Sequence, residues 1–359
     1  MVKRKIVAYC LSFLCMVGAD AAQGQEAEAS TADAPARQSP WLFVPLVTSN
    51  PKLGTSGGLL AAYLHHFDQK SPVSMFGVTG MYTTTHSTVG ALFARTFFGE
   101  GRHRLFAVAA SGKINNDYSD YLNTGFPVQS QDDLRAVFAR YTYRLHPSWF
   151  VGAQMADTNY AIIPDDDMSE AILGQLGLTG FDSVGLGLVV NYDSRDNVNT
   201  TSSGIFADAN NIAYSEKLGG SVSFDAIRFT VKQYLPHAKG NVFAWNLTNH
   251  WTSDAPPSGY ASIRLRGYTT GQYLGPNMSS IEVEERIRMG ERWGFTAFTG
   301  IACLYGDGMQ CSNSENIYAD VGGGLYYILK PKDKIATTVE YADGKGSNQG
   351  FYMRLGWGF

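Results

Sequence analysis

The chain has 359 residues, 44% of them hydrophobic and 17% charged, with 39 glycines, 20 tyrosines and 20 phenylalanines. That apolar content excludes an intrinsically disordered chain, and the glycine and aromatic content favours an all-β protein over the helical classes that carry dinucleotide or kinase motifs. With 28 Lys and Arg against 32 Asp and Glu the net charge is −4, so no basic excess exists to neutralise a phosphate backbone and nucleic acid is excluded as a partner.

The first 21 residues read as an export signal. Lys3, Arg4 and Lys5 precede the apolar run 6–17, and Ala19 and Ala21 are the small residues a signal peptidase reads, so cleavage is expected after Ala21. The run is about 12 residues, short of the roughly 20 that a spanning helix needs. Neither Cys10 nor Cys15 follows a small residue, which argues against a lipoprotein signal. Cleavage removes three cations and Asp20, taking the net charge from −4 to −6. Residues 22–40 carry no large apolar side chain and read as a disordered periplasmic leader. No later apolar stretch is long enough for a membrane helix, so the mature chain is either secreted and soluble or a β-barrel.

From Trp41 onward the hydrophobic period is two. Phe243, Trp245, Leu247 and Trp251 oppose Asn246, Thr248 and His250, and Ile335, Thr337, Val339 and Tyr341 oppose Ala336, Thr338, Glu340 and Ala342. At the C-terminus Phe351, Met353, Leu355, Trp357 and Phe359 share one greasy face. In a soluble sandwich that face would meet another sheet, whereas in a membrane barrel it meets lipid.

Segmentation on this pattern gives sixteen strands, at 41–48, 56–68, 72–82, 87–98, 103–115, 133–144, 148–159, 181–193, 203–214, 220–236, 240–253, 277–290, 293–304, 316–330, 333–343 and 349–359. An even count suits a closed antiparallel transmembrane barrel over 41–359, and closure removes the sheet edge that lipid cannot hydrogen-bond. Links at 69–71, 99–102, 146–147, 236–239, 291–292 and 331–332 are short, with 194–202 the exception, whereas 116–132, 160–180 and 254–276 are long. Short periplasmic turns and long outer loops are the asymmetry of outer-membrane barrels. Parity places Asp225, Arg228, Lys232 and His250 inward, and a change of apolar phase between Ala226 and Ile227 reads as a bulge. Glu285 falls on the outward face, which requires an interfacial position, a subunit contact or a register slip.

Several polar groups stand out. Tyr192, Asp193, Arg195 and Asp196 lie in the stretch GLGLVVNYDSRDNVNTTSSG (185–204), where a polar turn capped by Asp and Asn side chains outweighs a catalytic or metal cluster. Asp165, Asp166 and Asp167 read as a solvated acidic loop before a short helix at 168–175, with divalent bridging to lipopolysaccharide as the alternative. Cys303 and Cys311 flank an outer loop and either close a small ring or remain free thiols. No motif calls for a cofactor or a resident metal.

Three patches resemble the BamA/TamA-like barrels of the bacterial surface antigen superfamily. They are 185–204, the loop sequence RLRGY at 264–268 (Arg264, Arg266, Gly267, Tyr268), and GGGLYYILKPKDKIATTVEYADGKGSNQGFYMRLGWGF at 322–359. The resemblance implies that the loop between strands eleven and twelve folds back into the lumen, that Arg266 is tethered to inward Glu284 beside Arg286, and that Phe351, Met353, Leu355, Trp357 and Phe359 form the signal read by the assembly machinery. Related barrels carry Asp-x-Gly on strand thirteen where this chain has Phe298-Thr299-Gly300. The expectation is therefore a weaker latch with one acid, or one that borrows another such as Asp320.

For function, the resemblance implies an outer-membrane barrel that inserts or translocates polypeptides, or serves outer-membrane biogenesis, through a lateral seam between first and last strands and without covalent catalysis. Only residues 22–40 precede the barrel, so periplasmic substrate-presenting modules are expected to be absent. The expected partners are outer-membrane lipid and lipopolysaccharide, the assembly machinery and a polypeptide client. The alternatives are a passive pore with a charged lumen and an outer-membrane lipid-modifying enzyme. The enzyme reading is disfavoured because none of the seven histidines lies in a Gly-x-Ser-x-Gly or comparable context.

Overall fold

The computed structural model describes residues 39–50, 54–118, 128–164, 181–346 and 348–357. The expected signal peptide, the leader up to residue 38, the acidic loop at 165–167 with its helix, and Phe359 lie outside the described residues.

Eighteen strands are present among those residues. In chain order they are β1 (Trp41–Asn50), β2 (Gly54–His65), β3 (Ser74–Thr83), β4 (Thr88–Phe98), β5 (His103–Tyr118), β6 (Val128–His146), β7 (Trp149–Pro164), β8 (Phe181–Asp193) and β9 (Gly204–Tyr214). They continue with β10 (Phe224–His237), β11 (Asn241–Ser253), β12 (Ala261–Ser262), β13 (Leu274–Gly275), β14 (Asn277–Arg288), β15 (Trp293–Tyr305), β16 (Ile317–Lys330), β17 (Ile335–Gly344) and β18 (Gln349–Leu355). Sixteen of them close an antiparallel barrel in sequential order with β18 beside β1, while β12 and β13 pair with each other inside the 254–276 loop. The expected sixteen-stranded barrel is therefore the observed one, and residues 181–193 form a strand as read from the sequence. Strands β6 and β7 run longer than the pattern indicated, because residues 128–132 of β6 pair with β5 and, from 130 on, with the end of β7.

The two faces follow the alternation. Leu59, Val78, Leu92, Leu186, Leu188, Ile227, Ile281 and Ile301 are exposed on the outer surface. A water-soluble chain has no reason to present such a continuous apolar belt, whereas hydrocarbon wets it. Aromatic rings collect at the rim carrying the short turns, where Trp41 packs on Tyr63, Phe98 on His103, Trp149 on Tyr192 and Trp293 on Tyr327. Amphipathic rings at this level mark a membrane-water boundary.

Two local expectations change, and one of the three explanations offered for Glu285 is selected. The register of β10 with β9 and β11 runs without interruption through Ala226 and Ile227, so there is no bulge. The apolar phase switches because Phe224 and Ala226 face inward at the loop rim, where Phe224 stacks on Tyr214 and edges Phe181. By the same register Arg228, Lys232 and His250 do face the lumen, but Asp225 alternates with them and points outward. Glu285 keeps its outward register and bonds His237 Nε2 at 2.8 Å, close to the turn between β10 and β11, so of the three explanations the interfacial one holds.

Two features pin the rims. Cys303 and Cys311 form a disulfide with Cα atoms 5.7 Å apart, closing the link between β15 and β16. At the turn rim, Asp68 accepts bonds from the Ser71 hydroxyl and from the Ser71, Lys70 and Glu100 amides, joining two neighbouring turns. The Ser71 hydroxyl, aided by these amides, holds the Asp68 carboxyl down at about 2. Replacing both cysteines by serine should cost about 2–3 kcal/mol, read as a lower thermal midpoint in heat-modifiable gel mobility. Because the Asp68 pKa is depressed on folding, its contribution is present above the unfolded value and lost as pH falls from about 4 towards about 2. Amide protection at Ser71 and Glu100 should fall over that window, and Asp68→Asn should abolish the dependence.

Candidate functional site: a lumenal latch and the barrel seam

The loop between β11 and β14 turns into the barrel because its sequence alternates apolar anchors with one charged tip. After Pro256 a single 3-10 turn (Pro257–Gly259) leads into the two-residue ladder of β12 and β13. Ile263, Leu265 and Tyr268 are buried against Met278, Ala302, Leu304 and Tyr318 of the wall. Gly267 sits at φ 91°, a backbone conformation that side-chain-bearing residues rarely adopt, and its N–H donates to Tyr352 Oη at 2.8 Å. The Tyr268 hydroxyl donates to the Ala319 carbonyl and accepts the Lys345 N–H, each at 2.7 Å. The absent side chain of Gly300 leaves room for Leu265, since a Cβ there would lie 2.9 Å from Leu265 Cδ2. Nearer the loop rim, Tyr260 donates to Asp307 at 2.6 Å, and this bond pushes the phenol pKa up.

These contacts deliver Arg266, only 5% exposed, to a ring of acids. Its Nε donates to Glu282 at 2.7 Å, and its Nη1 lies 2.7 Å from Glu284 and 3.1 Å from Glu340. The flat guanidinium also covers the Phe298 ring at 3.5 Å. Glu284 is shared with Arg286 at 2.5 Å, and Glu340 with Arg354 at 3.1 Å. Three carboxylates and three guanidinium groups are thus ion-paired inside the wall, and the buried Asp320 carboxyl lies beside Glu282. Of the two expectations the one-acid latch fails and the latch that borrows acids holds, with Glu282 and Glu340 as the further acids on Arg266 and Phe298 covering it with an aromatic face. Arg264 is not part of this ring; it is exposed to the lumen on the opposite side of the loop.

The second motif meets the same network. Asp193 accepts Arg104 at 2.6 Å and both Arg195 Nε and Nη2, while Asp196 accepts the Ser202 and Ser203 amides. This is the capped polar turn read from the sequence, and Tyr192 faces outward against Trp149. The turn is no simple connection, however. Arg95 holds Asn199 Oδ1 and the Val198 carbonyl, Asn199 in turn donates to the Asp333 carbonyl, and Thr201 is buried. Arg286 Nη1 donates to the Thr201 carbonyl at 3.1 Å. Segment 194–203 thus occupies the turn-rim mouth and touches the latch through one arginine.

The barrel closes at its weakest ladder. β1 pairs with β2 at ten positions but with β18 at three, Val47 with Met353, Thr48 with Tyr352 and Ser49 with Phe351. Below Val47, Leu42 and Val44 are buried with Ile335 and Leu355 in one apolar cluster, so side-chain cover replaces strand pairing. Pro45, lacking an N–H, removes one donor from that stretch of β1. The C-terminal residues do not share one lipid-facing side as the alternation indicated. The β18 ladder ends at Leu355 and Gly356 takes φ 90°. Trp357 then turns inward, packing 4.7 Å from Tyr326 and 4.2 Å under Arg286. Phe351 and Met353 keep the outward register and Leu355 joins the seam cluster.

Arg286 is consequently the common contact of the loop latch, the turn plug and the C-terminal segment. Sequence reading found it only as a neighbour of Glu284. Glu282 was missed although the inward alternation Glu282, Glu284, Arg286 signalled it, and no local signal marked Glu340, 58 residues beyond Glu282, as their partner.

The barrel superposes on BamA from Haemophilus ducreyi lacking POTRA domains 1–3 with a TM-score of 0.55 at 12% identity, covering 89% of this chain and 70% of that one. The chain has a BamA-like barrel fold. CdiB from Escherichia coli gives a TM-score of 0.59 at 10% identity, covering 89% of this chain, and CdiB from Acinetobacter baumannii 0.55 at 11%, covering 88%. The chain spans 63% and 59% of those two CdiB chains. No family model and no curated protein matches the sequence.

Arg266→Ala would leave buried Glu282 without its arginine and take one of two arginines from Glu284 and from Glu340, and breaking a buried pair costs about 3–5 kcal/mol. External protease should then cut within 254–276, and the thermal midpoint should drop. Arg266→Lys should fall between, because an ammonium cannot bridge the ring as a planar guanidinium does. Unchanged cleavage and stability in Arg266→Ala would refute the latch.

Proposed function

We propose that this chain is an outer-membrane barrel that inserts or translocates polypeptide clients, or serves outer-membrane biogenesis, by opening laterally between β1 and β18. The supporting observation is the seam itself, where a three-position ladder and a patch of side chains stand in for full strand pairing. A backbone edge in hydrocarbon is costly to expose, but an incoming client strand can replace the hydrogen bonds that are lost. The turn rim faces the periplasm, and outer-membrane lipid and lipopolysaccharide surround the belt.

In this reading the latch controls the seam. Arg266 binds Glu284, Glu284 binds Arg286, and Arg286 covers Trp357, the residue that draws the end of β18 inward. Withdrawing the loop takes the countercharge of Arg266 away from Glu284 and loosens the hold of Arg286 on Trp357 and Thr201. No covalent step is involved; the work is strand exchange in a low-dielectric setting. A passive pore is the second reading, supported by lumenal cavities of 510 and 460 Å³, but the inserted loop and turn argue for small conductance.

Depletion of the protein should lower the level of at least one other outer-membrane barrel or alter surface lipid. Wild type should restore it. V47C/M353C, built on C303S/C311S and oxidised, should not restore it until reductant is added. Normal levels of every other barrel together with unaltered surface lipid would reject the insertion role, and full rescue by the locked barrel would reject the seam.

A further inference from the structure

Outside the latch, the lumen near the loop rim holds a chamber of about 510 Å³ between strands β6–β11 and the far side of the inserted loop. Its lining is divided. Phe181, Tyr214 and Phe224 form an aromatic lip, with Tyr214 and Phe224 stacked at 4.4 Å. Arg140, Arg228 and Arg264 form a basic floor, and no carboxylate lines the chamber among the described residues.

The three arginines are not equivalent. Arg140 is engaged, donating to Asp208 at 2.9 Å and to Gln154 at 2.8 Å. Asp208 also takes the side-chain amides of Asn191 and Asn210, so its acceptor capacity is shared already. Arg228 and Arg264 form no ion pair and no hydrogen bond with another described residue, and Arg228 Nε is buried without a partner. Two guanidinium groups inside a barrel of net negative charge, with no acid supplied to either, run against the economy seen at Arg266, where each cation is matched. At half-buried Arg228 an unmatched charge is costly, Arg264 is exposed to the lumen beside it, and a guanidinium is the group that grips phosphate or carboxylate bidentately.

We propose that this chamber is a binding site for a small aromatic anion, its phosphate or carboxylate held by Arg228 and Arg264 and its ring laid on the Tyr214 and Phe224 lip. An aromatic and aliphatic part of the wall facing convergent polar groups is the combination seen in small-molecule sites. The loop that carries Arg266 into the latch carries Arg264 into this floor, so the ligand and the latch share one segment.

The test is calorimetric titration of the full chain in dodecyl maltoside with 1-naphthyl phosphate, 1-naphthol and inorganic phosphate. Saturable binding of 1-naphthyl phosphate is expected, weakened about tenfold or more in Arg228→Gln/Arg264→Gln, with inorganic phosphate at least about tenfold weaker and 1-naphthol not saturating. Retained heat-modifiable mobility identifies folded variants. Arg264→Gln alone, on the exposed side of the loop, should show a smaller loss in the same direction and serves if the double variant misfolds. No saturation with 1-naphthyl phosphate, undiminished binding by the folded variants, or equal binding of 1-naphthol would overturn the site. Equal binding of inorganic phosphate would overturn its aromatic half.

Discussion

A guanidinium buried inside a membrane barrel is tolerable only where acids surround it, and Arg266 sets the terms for the rest of this structure. Three carboxylates approach it from two separated strands, and each of two of them is shared with a second arginine. The ring cannot lose a member cheaply, because any single removal leaves an uncompensated charge in a low-dielectric setting. The inserted loop is thereby held by electrostatics at its tip and by Tyr268, Leu265 and Ile263 along its flank. Apolar burial alone would allow the loop to slide; the charges give it one seat.

That seat is connected to the mechanical weak point. A barrel normally hides every strand edge, yet here the closing ladder is short and the end of β18 leaves the sheet at Gly356. The inward Trp357 lies beneath the same Arg286 that binds Glu284 and the plug carbonyl of Thr201. One side chain thus senses the outer loop, the turn-rim plug and the seam. Two features meet in this junction: a sheet edge satisfied by a short closing ladder, and a charged ring that seats the loop.

Much of this was legible in the chain. Strict alternation of Phe243, Trp245 and Leu247 against Asn246 and Thr248 identifies a strand with unlike faces, and turn residues spaced between such runs give sixteen of them. Inward Glu284 was readable from parity, and the Arg266 motif from the resemblance carried by RLRGY at 264–268. Misreadings occurred where the rule that the lumen is polar breaks down. Phe224 and Ala226 face inward because aromatic rings line the chamber at the loop rim, which imitates a bulge in the pattern. Trp357 breaks the C-terminal alternation because a glycine with positive φ re-aims the chain, and glycine in a sequence does not announce its φ.

Local periodicity, set by the geometry of an extended chain, by itself determined that this protein is a many-stranded barrel with an apolar outside. The charged loop tip was marked by the resemblance of the RLRGY stretch at 264–268 rather than by periodicity. Only the tertiary structure decided the partners. Glu282, Glu340 and Thr201 reach the latch from separate strands and a turn, brought together by closure of the sheet rather than by spacing along the chain. The closing ladder likewise joins residues at opposite ends of the sequence, and its short length depends on where β1 and β18 meet around the circumference, a quantity no local pattern encodes.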